Sequence, residues 1–235
     1  MSNSPYQDTV FILDFLTRLN PSSVLDVGSG FGRWGFLCRC HLGVGESVVS
    51  NPSQDMKIEA IEAYPENVNS VYDAVYDKVH KGDAKLILPK LPKYDVIICS
   101  HIIEHFEKTD GWAFIEEAVR HANIAVIIGL PFRDPLRETP NKNAYEAHLS
   151  SWTGKDFCGR NVLVRTFSFK KEVDAGVVVF PVSENARWWV KTLRNPCRLF
   201  VAEKLSGLVK MVCRLFSGGV FRKTCVKDVN GDKSL

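Results

Sequence analysis

The sequence predicts an α/β fold in which helices cover both faces of a doubly wound, mostly parallel sheet. Three observations support this prediction. The strand-like run from Val24 to Val27 is followed by three glycines at alternate positions and then by a helix-like segment. Strand-like and helix-like segments alternate four times in all, which implies right-handed crossovers between parallel strands. Two more strand-like segments, 161–167 and 175–180, lie on either side of Lys170-Lys171 and suit a closing antiparallel hairpin.

The periodicity of the apolar residues predicts the helices and strands along the chain. Helical spacing predicts helices over 5–19, 34–42, 66–76 and 110–123. Alternating or continuous apolar runs predict strands over 24–27, 57–63, 78–81, 94–99 and 124–130. Residues 43–55 are a connection longer than is usual in α/β proteins, and they form either a lid or an insertion.

Length and composition fit one globular domain with an extension. The 235 residues are 45% apolar and 24% charged, as in ordinary soluble domains. The seven cysteines are not regularly spaced, which indicates reduced thiols. Cys38, Cys40 and His41 lack a second ligand pair at zinc-like spacing, so no metal site is predicted. No secretory signal and no apolar run of about 20 residues is visible, so we expect a cytoplasmic protein.

The glycine turn distinguishes two classes of nucleotide-binding fold. The dinucleotide fingerprint needs a third glycine at position 33, where Arg33 stands. The spacing present is Asp26-x-Gly28-x-Gly30-x-Gly32. This pattern resembles the first motif of class I S-adenosylmethionine-dependent methyltransferases.

Later parts of the chain carry the same resemblance, which covers about 22–157. They are Gly82-Asp83, Glu104-His105 after the fourth strand, Asp110-Gly111, and the polar and aromatic segment 143–152. The chain is similar here to bacterial methyltransferases of undefined substrate. The resemblance implies a seven-stranded sheet, S-adenosylmethionine as cofactor, and methyl transfer to an oxygen or nitrogen of a small-molecule, glycan or lipid-linked acceptor.

The resemblance also implies which residues bind the cofactor. Glu62 ends the second strand, where a carboxylate can accept hydrogen bonds from both ribose hydroxyls. Glu59, on the other face of that strand, is the second choice. Asp83 matches the residue that binds the adenine amino group. A solvated carboxylate at Glu62 and an ordinary turn at Asp83 are the alternatives. The complete predicted set is Asp26, Gly28, Ser29, Gly30, Gly32, Glu62, Asp83, Ala84, Ser100 and His101.

The candidate catalytic residues are His148, His105 and Glu104. They follow strands or lie in the segment 131–157, near the carboxyl ends of the strands where open α/β sheets bind ligands. An imidazole can take a proton near neutral pH. His148 is the first choice for the base because little in its segment resembles core. The alternative is a structural histidine.

Two rival functions remain open. A non-catalytic S-adenosylmethionine-binding or regulatory module would have the same fold, although the intact set of Asp26, Glu62 and Asp83 argues against a decayed site. A nicotinamide-dependent enzyme is disfavoured by Arg33. The fourth strand is followed by Ser100-His101 rather than by an Asn-Pro-Pro-Tyr motif, so nucleobases and nucleic acids are not expected partners.

Residues 184–235 are predicted to form a basic extension beyond a methyltransferase domain over 1–183. From Arg187 onward there are eleven Lys or Arg against three Asp or Glu, a local charge of +8; since the whole chain carries +3, the preceding 186 residues carry −5. Apolar residues with helical spacing over 201–215 predict an amphipathic helix. This helix could lie on the inner face of the membrane. Alternatively, it packs on the domain or on a second subunit. Nucleic-acid binding is the third interpretation.

Overall fold

The computed structural model describes residues 8–42, 56–139, 143–168 and 174–194. Its strands are β1 Ser23–Val27, β2 Lys57–Glu62, β3 Lys78–Lys81, β4 Tyr94–Ser100, β5 Ala122–Phe132, β6 Leu163–Ser168 and β7 Asp174–Pro181. They form one seven-stranded sheet in the order β3-β2-β1-β4-β5-β7-β6. Strands β1 to β5 are parallel, and β7 runs antiparallel to both β5 and β6. The predicted doubly wound, mostly parallel sheet is confirmed.

Helices cover both faces of this sheet. The α-helices are α1 Thr9–Leu19, α2 Arg33–His41, α3 Ser70–Val75, α4 Ala84–Ile87, α5 Lys108–His121 and α6 Glu184–Arg194. Short 3-10 helices span Pro65–Asn67, Leu88–Lys90, Ile103–His105, Ala144–Glu146 and Gly154–Phe157. Because successive strand residues point to opposite faces, Val24 packs in one apolar cluster with α1, α2, α3 and α6, while Leu25 packs in the other with α5.

The strand register brings four carboxyl ends to one edge of the sheet. Val27 of β1 is level with Ile61 of β2 and with Cys99 of β4. Glu62 of β2 is level with Lys81 of β3. The loops that follow β1, β2, β3 and β4 therefore lie side by side, in the position where open α/β sheets bind ligands.

Helix α6 packs on the sheet, although its residues were predicted to belong to the C-terminal extension. Ala186 and Val190 are fully buried in the same cluster as α1. The guanidinium of Arg18 lies 4.7 Å from the ring centroid of Trp189. The residues 184–194 thus belong to the packed domain, and Trp188 remains 49% exposed on its outer side.

Several predicted boundaries were wrong. The helix expected over 66–76 is broken, because Asn69 adopts an extended backbone and its side chain accepts a hydrogen bond from the N–H of Val71. The helical turns between Ala84 and Lys90 were not predicted. Helix α5 begins at Lys108 and ends before Asn123, which belongs to β5.

Three predicted features lie outside the described residues: the long connection 43–55, the tip of the closing hairpin around Lys170-Lys171, and the amphipathic segment 201–215. Among the helices that are described, none is both long enough and apolar enough to cross a bilayer.

Candidate functional site

The turn between β1 and α2 exposes bare backbone at the edge of the sheet. Gly28 and Gly30 have φ angles of +66° and +57°, which L side chains rarely adopt. A Cβ atom at Gly28 would lie 1.8 Å from Cδ1 of Ile102, so this glycine is needed for close packing. A Cβ atom at Gly30 would meet nothing within 4 Å among the described residues. The turn is therefore packed at Gly28 and open at Gly30.

Glu62 joins the end of β2 to this turn. Its Oε2 accepts a hydrogen bond of 2.8 Å from the N–H of Gly30, and its Oε1 accepts bonds from the N–H of Tyr64 at 2.9 Å and from Nδ2 of Asn67 at 3.2 Å. The residue is only 5% exposed. A carboxylate has about four acceptor positions, so one remains for a ligand hydroxyl. Glu62 is thus fixed in place and still able to accept a further hydrogen bond.

Asp26 and Ser29 support the turn from the protein side. Asp26 is 1% exposed, and its Oδ2 accepts a hydrogen bond of 2.5 Å from the hydroxyl of Tyr76. Burial raises the pKa of Asp26 to about 7. The hydroxyl of Tyr72 lies 2.9 Å from Oγ of Ser29 and 2.5 Å from the carbonyl oxygen of Gly30. These two predicted cofactor-binding residues contact the tyrosines that hold the turn.

Asp83 and Ala84 begin α4 beside the end of β2. The N–H of Gly82 donates to the carbonyl of Glu62 at 2.8 Å, which places the two strand ends together. One oxygen of Asp83 caps α4 by accepting a bond from the N–H of Lys85 at 2.8 Å. Asp83 is half-buried and Ala84 is buried. The structure therefore brings Asp83 to the same edge of the sheet as Glu62.

The end of β4 carries a buried carboxylate next to a histidine with unusual backbone geometry. His101 follows Ser100 with a φ of +58°, and its N–H donates to the carbonyl of Gly129 at 2.7 Å. Its Nδ1 lies 3.3 Å from Oε1 of Glu104. Glu104 is 1% exposed. Burial alone would raise the pKa of Glu104. The neighbouring His101 and, to a smaller extent, His105 outweigh this effect of burial and hold the pKa below its usual value.

The segment 147–150 closes over Glu104. Its backbone N–H groups at Leu149 and Ser150 donate to the main-chain carbonyl of Glu104 at 2.9 and 3.1 Å. The carbonyl of Ala147 accepts a bond of 2.9 Å from Nδ1 of His105. These contacts bring the ring of His148 to 4.9 Å from that of His105.

Two side chains that were not among the predicted site residues contact His148. A guanidinium nitrogen of Arg137 donates to its Nε2 at 2.8 Å, and Oδ2 of Asp134 lies 3.2 Å from its Nδ1. Burial lowers the pKa of His148, opposed by the charge of Glu104. One donor atom each of Glu104, His105 and His148 lie within 4.8 Å of one another. The three predicted catalytic residues thus form one cluster, for which no metal had been predicted.

The prediction that the segment 143–152 contains little core was wrong for Trp152. Trp152 is fully buried and Phe157 is 1% exposed. Both rings pack with Trp112 of α5, at centroid distances of 5.3 Å. These aromatic contacts anchor the end of the segment to α5, which helps to hold His148 in a buried position.

Comparison with known proteins identifies the fold. No family model and no curated protein matches the chain. TehB from Haemophilus influenzae has a TM-score of 0.54 at 11% identity, over 74% of this chain and 62% of that one. Magnesium protoporphyrin IX methyltransferase ChlM from Synechocystis PCC 6803, with bound SAH (S-adenosylhomocysteine), has a TM-score of 0.50 at 14% identity, over 76% of this chain and 84% of that one. The plantazolicin methyltransferase BamL, in complex with a triazolic desmethylPZN analog and SAH, has a TM-score of 0.51 at 13% identity, over 74% of this chain and 85% of that one.

The chain has the class I methyltransferase fold. The similarity covers about three-quarters of the chain, while this chain spans less than two-thirds of TehB. In this fold the glycine turn with Glu62 and the cluster around Glu104 both lie beyond the carboxyl ends of the parallel strands.

Proposed function

We propose that the protein is an S-adenosylmethionine-dependent methyltransferase that acts on a small-molecule, glycan or lipid-linked acceptor. The observation that carries this proposal is the 2.8 Å hydrogen bond between Glu62 and the N–H of Gly30. It fixes an acidic group beside bare backbone at the ends of β1 and β2. A nucleoside needs both features, because its ribose diol donates hydrogen bonds and its sugar must approach the backbone closely.

The residues around the turn fit this cofactor. Glu62 retains an acceptor position for a ribose hydroxyl, and the space beside Gly30 lets a ligand approach the backbone. Asp83 has a second carboxylate oxygen for an adenine amino group. Ser100 ends β4 and His101 follows it, at the same edge of the sheet. Asp26, Gly28, Ser29, Gly32 and Ala84 shape and support the turn and the start of α4.

Methyl transfer needs few groups from the protein. The bound cofactor supplies an electrophilic methyl group on a sulfonium ion. The chain's own residues must hold the acceptor in line, exclude water and take a proton from it. The segment 147–150 lies over Glu104; Glu104 and His148 are buried, whereas His105 is half-buried.

Among these three groups, His105 offers the nitrogen that is easiest to reach. Its Nδ1 donates to the carbonyl of Ala147, so its Nε2 carries the lone pair. The Nε2 of His148, the first choice from sequence, already accepts a bond from Arg137. Both histidines remain candidates for the proton acceptor, with Glu104 between them. Oxygen and nitrogen acceptors are equally compatible with these side chains.

Calorimetry tests the proposal. The full chain should bind S-adenosylhomocysteine with a dissociation constant of about 1–100 μM and should not bind NADH at comparable concentrations. Binding of NADH but not of S-adenosylhomocysteine would overturn the proposal in favour of a nicotinamide enzyme. A non-catalytic module would bind S-adenosylmethionine but release no S-adenosylhomocysteine with any of a broad panel of hydroxyl and amine acceptors.

A further inference from the structure

We infer that Glu104, His105 and His148 form a binding site for a divalent transition-metal ion. The three residues each offer one donor atom, and these atoms lie within 4.8 Å of one another. In a tetrahedral site, metal–ligand bonds of about 2.0–2.2 Å put the ligand atoms about 3.3–3.6 Å apart, so each pair of donor atoms must approach by at most about 1.5 Å to complete the site. The binding of the ion depends only on these side chains and not on the proposed methyl transfer.

The carboxylate of Glu104 is the strongest sign that a cation belongs here. The residue is 1% exposed, and neither of its carboxylate oxygens accepts a hydrogen bond of good geometry from any part of the chain that the structure describes. Nδ1 of His101 lies 3.3 Å from Oε1, within ion-pair distance but without the geometry of a hydrogen bond. Buried polar atoms are almost always hydrogen-bonded, and a metal ion bound to the carboxylate would give these two oxygens the partner that they lack.

His105 is held in the tautomer that a metal ligand requires. Its Nδ1–H donates to the carbonyl oxygen of Ala147 at 2.9 Å. The proton is therefore on Nδ1 and the lone pair on Nε2. Metal-binding histidines commonly make this second hydrogen bond, to a backbone carbonyl or a carboxylate, and it fixes the orientation of the ring.

His148 has a carboxylate beside its ring. The Oδ2 of Asp134 lies 3.2 Å from Nδ1 of His148, within ion-pair distance but without the geometry of a hydrogen bond. The Nε2 lone pair accepts a bond from the guanidinium of Arg137, which already brings positive charge to this atom. The side chain of Arg137 is 52% exposed, so it can rotate into solvent when a metal ion takes its place.

The donor set favours some ions over others. Two imidazoles and one carboxylate suit Zn²⁺, Co²⁺ or Fe²⁺, whereas Mg²⁺ and Ca²⁺ prefer oxygen ligands alone. Three protein ligands leave coordination positions open for another molecule. If the proposed function is correct, an acceptor hydroxyl could occupy one of them and release its proton to water more readily, and the histidines would then be ligands rather than bases.

Metal binding to the full chain tests the inference directly. After treatment with EDTA and its removal, the protein should bind one equivalent of Zn²⁺ in calorimetry, and Co²⁺ should give visible absorption bands. Glu104→Gln and His148→Gln should each weaken binding at least about 100-fold. Asp134→Asn should weaken it about 10- to 100-fold, as is usual for groups that orient a ligand. Arg137→Ala should bind the ion as tightly as the parent or more tightly.

The matched control is His121→Gln, because His121 lies at the end of α5 and contacts Glu117 instead of the cluster. Zn²⁺ affinity should not change in this variant. If Glu104→Gln fails to fold, Asp134→Asn and Arg137→Ala still decide the question. Absence of Zn²⁺ and Co²⁺ binding up to 1 mM, or equal affinity in the parent and all the cluster variants, would overturn the inference. Binding of S-adenosylhomocysteine by the EDTA-treated protein tests the proposed function separately.

Discussion

The carboxylate of Glu62 accepts a hydrogen bond from the N–H of Gly30, a residue 32 positions earlier in the chain. This single contact connects the end of β2 to the turn after β1. The same carboxylate is bound by the N–H of Tyr64, so its orientation is fixed from two sides. A ligand that binds here meets a preorganised acceptor, which reduces the entropy lost on binding.

The first prediction concerns this carboxylate. Glu62→Ala should weaken the binding of S-adenosylhomocysteine by about 1.5–3 kcal/mol, roughly 10- to 150-fold, because a charged hydrogen-bond acceptor is lost. Calorimetry measures the change. Glu59→Gln is the matched control, since Glu59 contacts His80 and Tyr94 rather than the turn and should leave the affinity unchanged. Equal affinity of Glu62→Ala and the parent would mean that Glu62 does not bind the ribose.

The second prediction compares three glycines with positive φ. Gly30→Ala and Gly159→Ala place a methyl group in open space, so each should lower the free energy of unfolding by only about 1–2 kcal/mol. Gly28→Ala adds an overlap with Ile102 and should cost about 2–4 kcal/mol. Urea unfolding measures these differences.

The affinity for the ligand then distinguishes Gly30→Ala from Gly159→Ala. If the cofactor approaches the turn as proposed, Gly30→Ala should reduce affinity for S-adenosylhomocysteine at least about tenfold, whereas Gly159→Ala should not change it. A similar affinity in both variants would place the cofactor away from Gly30. The pair is well matched because the backbone cost is the same and only the position differs.

The strands and the glycine turn could be predicted because their signals are local. Buried parallel strands are continuous apolar runs, and the turn needs glycines at fixed positions. The break at Asn69 could not be predicted so easily, since an Asn side chain is compatible with both a helix and a cap. The cluster around Glu104 depends on contacts across more than 40 residues, such as that between His105 and Ala147. Its residues were identified from resemblance, but Asp134 and Arg137 carry no motif that marks them.

The third prediction concerns the basic end of the chain. We propose that residues 195–235, together with the exposed Trp188, bind an anionic membrane surface through their positive charge. The full chain should sediment with vesicles in increasing amounts as their phosphatidylserine content rises. Truncation after Arg194 should abolish this binding and leave the melting temperature unchanged, because α6 is kept. Binding that is independent of lipid charge, with a lower melting temperature after truncation, would indicate that the end of the chain packs on protein.

The fourth prediction follows from the buried Asp26. Burial raises its pKa from 3.8 to about 7, against the opposing hydrogen bond from Tyr76. Between these two values the folded protein holds a proton that the unfolded chain has released. The free energy of unfolding should therefore fall as the pH rises through this window, by about 1.4 kcal/mol per pH unit at most. From pH 5.5 to pH 8 the loss due to Asp26 should be about 2 kcal/mol.

Asp26→Asn isolates this contribution because asparagine has the same shape and does not ionise. Its stability relative to the parent, from urea unfolding, should rise by about 2 kcal/mol between pH 5.5 and pH 8. Glu59→Gln is the control: the contacts of Glu59 with His80, Lys57 and Tyr94 outweigh its burial and lower its pKa to about 2, so its contribution changes only at more acidic pH. If Asp26→Asn and the parent lose stability in parallel, Asp26 is already ionised in the folded protein, and the hydroxyl of Tyr76 is sufficient to stabilise its charge.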